Sequence, residues 1–170
     1  MNQATDPAVV AQFKEAFRLH PAGVALVAGR APDGLVGLTL SSVASVSADP
    51  AVLSFSVTRT TGSAAGILAA PSFMVHFLAE TQSDIANAFA RTGAPRFTPE
   101  QGWSELPTGE PLLAGATAAL RCTVRETLQV GPSVLVLADV LEVLEGQTAS
   151  PLLYQDRRFL SGAKLEPVGE

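Results

Sequence analysis

The sequence predicts a mainly β fold, an antiparallel barrel with short helices, and three observations predict it. Apolar and polar residues alternate from Leu53 to Thr58, which is the period of a half-buried strand. Short apolar stretches that read as strands recur about six or seven times, separated by turns rich in Gly and Pro. Only about two or three stretches have helical spacing of apolar residues. This count favours an antiparallel, Greek-key-like arrangement with helical decoration.

The first predicted elements are a helix and a hairpin. Asp6 is a candidate N-cap and Pro7 stands at the first helical position. Phe13 and Phe17 follow at helical spacing, so we expect them to face the core. The stretches GVALVA and LVGLTL flank the turn residues APDG and therefore form a hairpin.

The middle of the chain alternates strands and helices. The residues SADP predict a turn before the strand at 53–57, and TTGSAAGILAAP predicts a loop that enters a short helix. FMVHFL reads as a strand, and Thr81 with Asp84 predicts a capping box that starts a second short helix. Residues 92–115 are rich in Pro and Gly and are expected to be irregular.

Two long strands and a tail complete the prediction. Alternation around Cys122 gives one strand, with the cysteine facing inward, and 133–144 gives the next after Gly131-Pro132. The tail contains PLLYQDRRF. The length of 170 residues suits one domain over 1–170.

Composition narrows the class of protein. A chain with 47% apolar and 16% charged residues is not disordered, and its low charge suggests a surface hidden in an oligomer. The net charge of −5, without a run of basic residues, argues against a binder of nucleic acid. One cysteine cannot form an internal disulfide, and no leader or membrane segment is evident, so we expect a cytoplasmic protein.

Several familiar motifs are missing. The two histidines, His20 and His76, lack metal-ligand spacing, and His76 in an apolar strand is expected to be a hydrogen-bonded core or interface residue. There is no G-x-S-x-G elbow, P-loop or strand-linked G-x-G-x-x-G fingerprint. A phosphate therefore has to be bound by another route.

Two clusters of hydroxyl-bearing residues suggest how a phosphate could be bound. The stretch GLTLSSVASVSADPAVLSFSV contains six serines and one threonine, and Ser41, Ser42, Ser45 and Ser47 lie where a strand is expected to break into a turn. The second cluster, from Arg59 to Ser63, precedes a short helix and adds a planar cation. Together they predict an anion site. The alternative is that these hydroxyls only cap helices and fill turns.

The sequence resembles the short-chain flavin reductases, FMN-binding split-barrel proteins that supply reduced flavin to two-component monooxygenases. The hydroxyl-rich stretch is similar to their flavin loop, and TRTTGS is similar to their phosphate loop. FKEAFRLHPAGVALVAG, FMVHFLAETQSDIANAFA, the residues RF, W and PTGEPLL, and PLLYQDRRF match further segments in the same order. The resemblance covers nearly the whole chain and implies a split β-barrel.

The resemblance also implies residue roles. One set of residues matches the segment along the isoalloxazine ring: Thr39, Leu40, Ser41 and Ser42. A second set matches the ring edge and ribityl chain: Ser45, Val46 and Ser47. A third set matches the phosphate contacts: Arg59, Thr61 and Ser63. No residue is assigned an acid–base role, because such a protein orients the reactants and excludes water.

Some positions depart from the family pattern or have two interpretations. Pro132 stands where many members have a histidine near the nicotinamide, and Ala25, Ala28 and Thr58 replace polar family residues. Tyr154, Arg157 and Arg158 either close over the nicotinamide or its phosphate, or pack at a dimer interface. Trp103 either walls a pocket or covers core.

The resemblance implies a homodimeric NAD(P)H:flavin oxidoreductase. It would use NADH or NADPH to reduce FMN or FAD for a partner monooxygenase. One alternative is an FMN-binding module without efficient turnover, and the missing turn histidine favours it. Another is a dimeric scaffold with purely structural hydroxyls.

Overall fold

A computed structural model describes residues 5–169 as an antiparallel β structure with three short helices. The helices are α1 (Pro7–Leu19), α2 (Ser63–Ala69) and α3 (Ser83–Ala90). The strands are β1 (Ala22–Gly23), β2 (Ala25–Ala31), β3 (Gly34–Leu40), β4 (Ala44–Ala48), β5 (Ala51–Val57), β6 (Phe73–Phe77), β7 (Trp103–Glu105), β8 (Pro111–Leu113), β9 (Ala118–Val130), β10 (Ser133–Glu145), β11 (Leu152–Gln155) and β12 (Arg158–Ser161). The predicted fold class is confirmed. The prediction that no leader is present concerns a stretch whose first four residues lie outside the described range.

Seven strands form one antiparallel sheet in the order β3-β2-β6-β9-β10-β5-β4. Its two edge strands, β3 and β4, are consecutive in the chain, and only residues 41–43 link them. Strands lie about 4.8 Å apart, so a flat sheet of this width would measure roughly 29 Å between its edges. A three-residue link reaches at most about 14 Å. The sheet therefore has to curve until its edges approach each other.

Ser42 fixes this approach. Its Oγ accepts a hydrogen bond from the Ser56 backbone N–H at 3.0 Å and donates one to the Ser56 carbonyl at 3.2 Å. The link between the edge strands is thereby attached to β5. Two smaller sheets, β1-β11-β12 and β7-β8, complete the β structure.

The curved sheet has a core on each face of β2. Val27 packs with Phe55, Phe73 and Val136 in one cluster, which α2 covers through Ile67. Residues of opposite orientation, Leu26 among them, pack in a second cluster with α3, β8 and β11. Burial on both faces explains why β2 is continuously apolar and does not alternate.

Helix α1 corrects one prediction. Asp6 caps it as expected, since its carboxylate accepts the Ala8 N–H at 2.8 Å, but no residue of the helix is buried. Phe13 and Phe17, predicted to face the core, are 60% and 61% exposed. Helical spacing identified an apolar face correctly, but that face is not covered by the rest of the described chain.

The predicted capping box at Thr81 and Asp84 is wrong. Helix α3 begins at Ser83, after a 3₁₀ turn over Glu80–Gln82. The side chain of Gln82 accepts the Ala79 N–H at 3.0 Å and donates to the Ala114 carbonyl at 2.9 Å. A longer-range anchor therefore replaces the local cap. The segment 92–115, expected to be irregular, also contains the short strands β7 and β8.

His76 is a core residue, as predicted. Its Nδ1 lies 3.0 Å from the Leu26 carbonyl, and its Nε2 lies 3.1 Å from the Leu113 N–H. The neutral imidazole satisfies both contacts when Nδ1–H donates and Nε2 accepts. Burial lowers the pKa of His76 to about 4, against a smaller opposing effect of the Leu26 hydrogen bond. Protonation would leave the Leu113 N–H facing another donor.

Two other buried titratable groups are structural. Burial disfavours ionisation of Glu110, but hydrogen bonds from Ser72, Thr108 and Arg121 outweigh it and bring the pKa of this carboxyl to about 2. The carboxylate thereby connects β8 to β9. Burial raises the pKa of the Cys122 thiol to about 12, and the Asp139 carboxylate adds to this shift. The inward-facing position predicted for Cys122 is confirmed.

Among residues 5–169, no helix is both long and apolar enough to cross a membrane.

The pKa of His76 predicts how stability depends on pH. The folded value of about 4 lies below the unfolded value of 6.5, so stability is full above pH 6.5 and is lost as pH falls towards 4. Between pH 7.5 and pH 5.0, His76 should lower the free energy of unfolding by about 2 kcal/mol. Urea unfolding at the two pH values measures this loss. In His76→Gln the loss should be absent from this window, and an equal loss in wild type and variant would refute the assignment.

Candidate functional site

Three neighbouring depressions that share lining residues extend from the loop after β5, past the end of β3, to α1. We call them together the groove and each of them a section. The Arg59 section, about 350 Å³, lies between that loop, β3 and α3. The Arg91 section, about 470 Å³, lies between the end of β3, α3 and the β11–β12 hairpin. The α1 section, about 980 Å³, lies between α1 and residues 41–44. Thr39 and Leu40 line the first two sections, and Ser41 lines the second and third.

Most of the predicted site residues line this groove. The loop residues Arg59, Thr61 and Ser63 line the Arg59 section together with Thr39 and Leu40. The remaining groove residues from the prediction are Ser41, Ser42, Tyr154 and Arg157. The curvature of the sheet brings the two hydroxyl clusters together, because it places the end of β3 next to the end of β5.

The segment Ser45–Ser47 does not line the groove. The sequence predicts that the strand breaks into a turn here, but the residues form β4, which pairs with β5. A register shift lies between Ser45 and Ser47, and Val46 is 54% exposed at this irregularity. Ser45 and Ser47 contribute to a separate depression against Leu120 and Val143. Backbone pairing with β5 therefore removes these residues from the groove surface of this chain.

Three of the groove hydroxyls already have partners within the chain. Thr39 Oγ1 donates to the Ala86 carbonyl at 2.7 Å and so attaches α3 to β3. The Ser42 hydroxyl joins the edge link to β5, as described above. Ser63 Oγ accepts a hydrogen bond from the Arg96 guanidinium at 3.2 Å. The hydroxyls of Thr39 and Ser42 therefore have a structural role in joining distant elements.

Charge distinguishes the groove from the rest of the surface. Six of the eleven Lys and Arg residues line it, whereas Glu15 is the one carboxylate lining it among its described residues. The six cations are Lys14, Arg18, Arg59, Arg91, Arg96 and Arg157. Arg18 binds Glu15, which lowers the pKa of the Glu15 carboxyl mainly through their hydrogen bond. A chain of net charge −5 thus has a positively charged groove.

The β11–β12 turn projects Arg157 into this groove. Asp156 and Arg157 have φ values of 49° and 60°, a left-handed pair that suits a tight hairpin turn but disfavours arginine. The Asp156 N–H donates to the Arg18 carbonyl at 2.7 Å, and the Gln155 side chain donates to the Leu19 carbonyl at 2.7 Å. The turn thereby satisfies the last carbonyls of α1 and fixes the backbone of Arg157 beside the groove.

Sequence reasoning missed three groove residues on or just after α3. Asn87 and Arg91 line the Arg91 section, and Arg96 lines the Arg59 section. The signal for Asn87 was a polar residue next to the apolar face of a short helix. Arg96 stands in a stretch predicted to be irregular, so no pattern indicated where its side chain would point. Of the two interpretations of Trp103, the structure agrees with the second: its ring covers core and packs against Phe97 and His76, at centroid distances of 4.8 and 5.7 Å.

A family model described as a flavin reductase like domain matches residues 17–163 of the chain. The chain is 37% identical over 151 residues to an NADH:FMN oxidoreductase of Rhodococcus erythropolis, with 86% of this chain and 79% of that protein covered.

Two solved structures are similar over nearly their whole length. The NADH:FAD oxidoreductase of Streptomyces globisporus, in complex with NAD and FAD fragments, superposes with a TM-score of 0.83 at 25% identity, covering 99% of each chain. The styrene monooxygenase flavin reductase of Pseudomonas putida superposes with a TM-score of 0.79 at 26% identity, covering 94% of this chain and 99% of that one.

Replacing the neighbouring serines Ser41 and Ser42 one at a time tests the structural role of the Ser42 hydroxyl. Ser42→Ala removes both hydrogen bonds to Ser56 and should lower the free energy of unfolding by about 1–2 kcal/mol. Ser41 has no side-chain hydrogen bond within residues 5–169, so Ser41→Ala should change stability by less than about 0.5 kcal/mol. Chemical denaturation measures both. Equal stability of the two variants would contradict the role given to Ser42.

Proposed function

The chain belongs to the family of flavin reductase like domains, and we propose that it reduces FMN or FAD with NADH or NADPH and supplies the reduced flavin to a partner monooxygenase. The observation that carries the proposal is the positively charged groove in an acidic chain. Both reactants carry phosphate groups and are therefore anionic. One named relative is an NADH:FMN oxidoreductase and another is an NADH:FAD oxidoreductase, which supports both substrates. A third is the flavin reductase of a styrene monooxygenase, which supports the partner.

The groove residues fit a phosphorylated flavin. Arg59 and Thr61 are exposed at the Arg59 section, and their side chains have no hydrogen-bond partner within the described range. A guanidinium and hydroxyl donors are a suitable set for a phosphate. We assign the phosphate to Arg59, Thr61 and Ser63, and the ring to the segment Thr39–Ser41, mostly through its backbone groups. Because Ser45, Val46 and Ser47 do not line the groove of this chain, their assignment to the ring edge and ribityl chain remains a prediction.

A flavin bound here would supply the redox chemistry, as the acceptor of the two electrons and one proton that NADH or NADPH donates as hydride, with a second proton from solvent. The chain's own residues bind, orient and exclude water. Thr39 fixes the distance between β3 and α3, which form the two walls at the Arg59 and Arg91 sections. No titratable acid or base is required at the ring, which agrees with an Arg59 section whose polar lining residues are arginines, serine and threonines.

We assign the dihydronicotinamide nucleotide to the Arg91 and α1 sections. Tyr154 and Arg157 line both sections, next to Ser41 at the end of the proposed ring segment. An arginine fixed by a strained turn is suited to a phosphate of the nucleotide, and the phenol ring is suited to stacking.

Turnover tests the proposed reaction. Purified protein with FMN and NADH should oxidise NADH, as followed by absorbance at the nicotinamide band, and Arg59→Ala should raise the KM for FMN about tenfold or more because it removes a charged contact to phosphate. The KM for riboflavin, which has no phosphate, should change by less than about threefold.

Two results would contradict this account. Tight FMN binding without NADH oxidation would leave a flavin-binding module, for which Pro132 at the β9–β10 turn is the sequence argument. Equal changes in KM for FMN and riboflavin in Arg59→Ala would place the phosphate elsewhere. Arg30→Ala is the matched control, since Arg30 pairs with Glu105 and lines none of the three sections.

We further propose that the protein is a homodimer whose second copy completes the α1 section. Two apolar surfaces support this: the uncovered face of α1 with Phe13 and Phe17, and the β9–β10 hairpin with Leu128 and Val130, which are 59% and 58% exposed. Exposed apolar clusters of this kind are typical of interfaces. A single domain over residues 1–170 and a cytoplasmic location stay predictions from the sequence, and the family match over 17–163 supports the former.

Light scattering after size exclusion tests the dimer. Wild type should elute with about twice the mass of one 17.6 kDa chain. Leu128→Glu with Val130→Glu should dissociate it, because burying two carboxylates at an interface is costly. Val168→Glu, at a residue that is 99% exposed, is the control and should leave the mass unchanged. A monomeric wild type would overturn the proposal.

A further inference from the structure

We propose that Arg96 is a positioning residue of the flavin phosphate site and acts through Ser63. The proposal rests on the proposed function, because it concerns the same groove. Arg96 follows α3 in a stretch without regular structure, and its neighbour Phe97 has a left-handed φ of 55°. Phe97 packs against Phe89 and Trp103, with ring centroids 5.0 and 4.8 Å apart. This packing fixes the backbone from which Arg96 projects.

The guanidinium of Arg96 connects three elements that form the Arg59 section. Its Nε donates to the Ala88 carbonyl at 3.1 Å, and its Nη2 donates to the Arg91 carbonyl at 2.7 Å. The first carbonyl lies in the last turn of α3, and the second belongs to the residue that follows the helix. Its Nη1 donates to the Gly37 carbonyl of β3 and to Ser63 Oγ at the start of α2, both at 3.2 Å. Four of its five N–H donors therefore have protein acceptors.

These contacts fix the position of the Arg96 guanidinium as well as the elements that form the Arg59 section. The guanidinium carbon lies 5.4 Å from the centre of the Phe89 ring, so a cation–π contact adds to the hydrogen bonds. Gly37 permits this arrangement, because a Cβ there would lie 2.8 Å from the Phe89 ring. In contrast to the exposed Arg59, Arg96 is partly buried and rigidly oriented. Its positive charge is thus fixed at the proposed phosphate before any ligand enters.

Ser63 transmits the effect. A hydroxyl has one donor and two acceptor sites, and the Arg96 N–H occupies an acceptor site of Ser63 Oγ. The hydroxyl hydrogen therefore points away from the guanidinium and remains available to a ligand in the section that Ser63 lines. A cation that donates to an oxygen also strengthens that group as a donor. Arg96 thus prepares Ser63 to donate to an anion.

The test is the ratio of the Kd for riboflavin to the Kd for FMN, which isolates the phosphate contribution. Trp103 is the only tryptophan and packs against Phe89, which lines the groove, so quenching of its emission measures binding without turnover. Arg96→Gln and Ser63→Ala should each lower the ratio about tenfold or more, as expected for a charge-assisted hydrogen bond. Because Arg96 acts through Ser63, the double variant should lose little beyond the larger single loss.

A merely structural Arg96 would give a different result. Both flavins would then bind more weakly by the same factor, the ratio would not change, and the inference would be overturned. Additive losses in the double variant would overturn the route through Ser63. If Arg96→Gln does not fold, Arg96→Lys replaces it, since lysine keeps the charge but cannot make the planar set of contacts. Arg30→Gln is the matched arginine control and should leave the ratio unchanged.

The design separates failure of this inference from failure of the proposed function. A wild type that binds FMN no more tightly than riboflavin overturns both the phosphate site and the role of Arg96. A wild type that prefers FMN and oxidises NADH, with Arg96 variants of unchanged ratio, overturns the inference alone.

Discussion

The three-residue link between β3 and β4 is the constraint on which the rest of the structure depends. These strands are the opposite edges of a seven-stranded sheet, and the link is far shorter than a flat sheet of that width. Curvature is therefore compulsory, and the two hydrogen bonds between Ser42 and Ser56 hold it at the point of closest approach. The same closure places the end of β3 beside the loop after β5. A groove with donors at both ends is a consequence of how the sheet closes.

The distribution of charged residues gives the groove formed by this closure its positive charge. The acidic groups of the chain lie largely outside the groove, and the buried carboxylate, Glu110, is compensated by Arg121 and two hydroxyls. His76 stays neutral in the core. Within residues 5–169, Arg18 is the one groove arginine that forms a salt bridge with a carboxylate, so the groove keeps a positive charge. In the proposed reaction, the protein contributes orientation and charge, and the flavin and the nicotinamide contribute the reactive chemistry.

The sequence was sufficient for the fold class and the family, because many short local signals occurred in the expected order. It was insufficient wherever a distant contact decided the outcome. Gln82 replaced the local cap at Thr81 through its bond to Ala114, and pairing with β5 turned Ser45–Ser47 into a strand. The face of α1 was identified from its spacing, but spacing does not say whether the covering surface belongs to the same chain. Arg96 makes four contacts to three elements, and no pattern along the chain records such a convergence.

The central claim is that two polar segments, one at the end of β3 and one after β5, bind opposite ends of one flavin. A crystal structure of the protein with FMN tests it most directly. The account predicts the phosphate within hydrogen-bond distance of Arg59 and Ser63, and the ring along Thr39–Ser41. Density for FMN that lies away from both segments, or a phosphate that contacts neither residue, would contradict it.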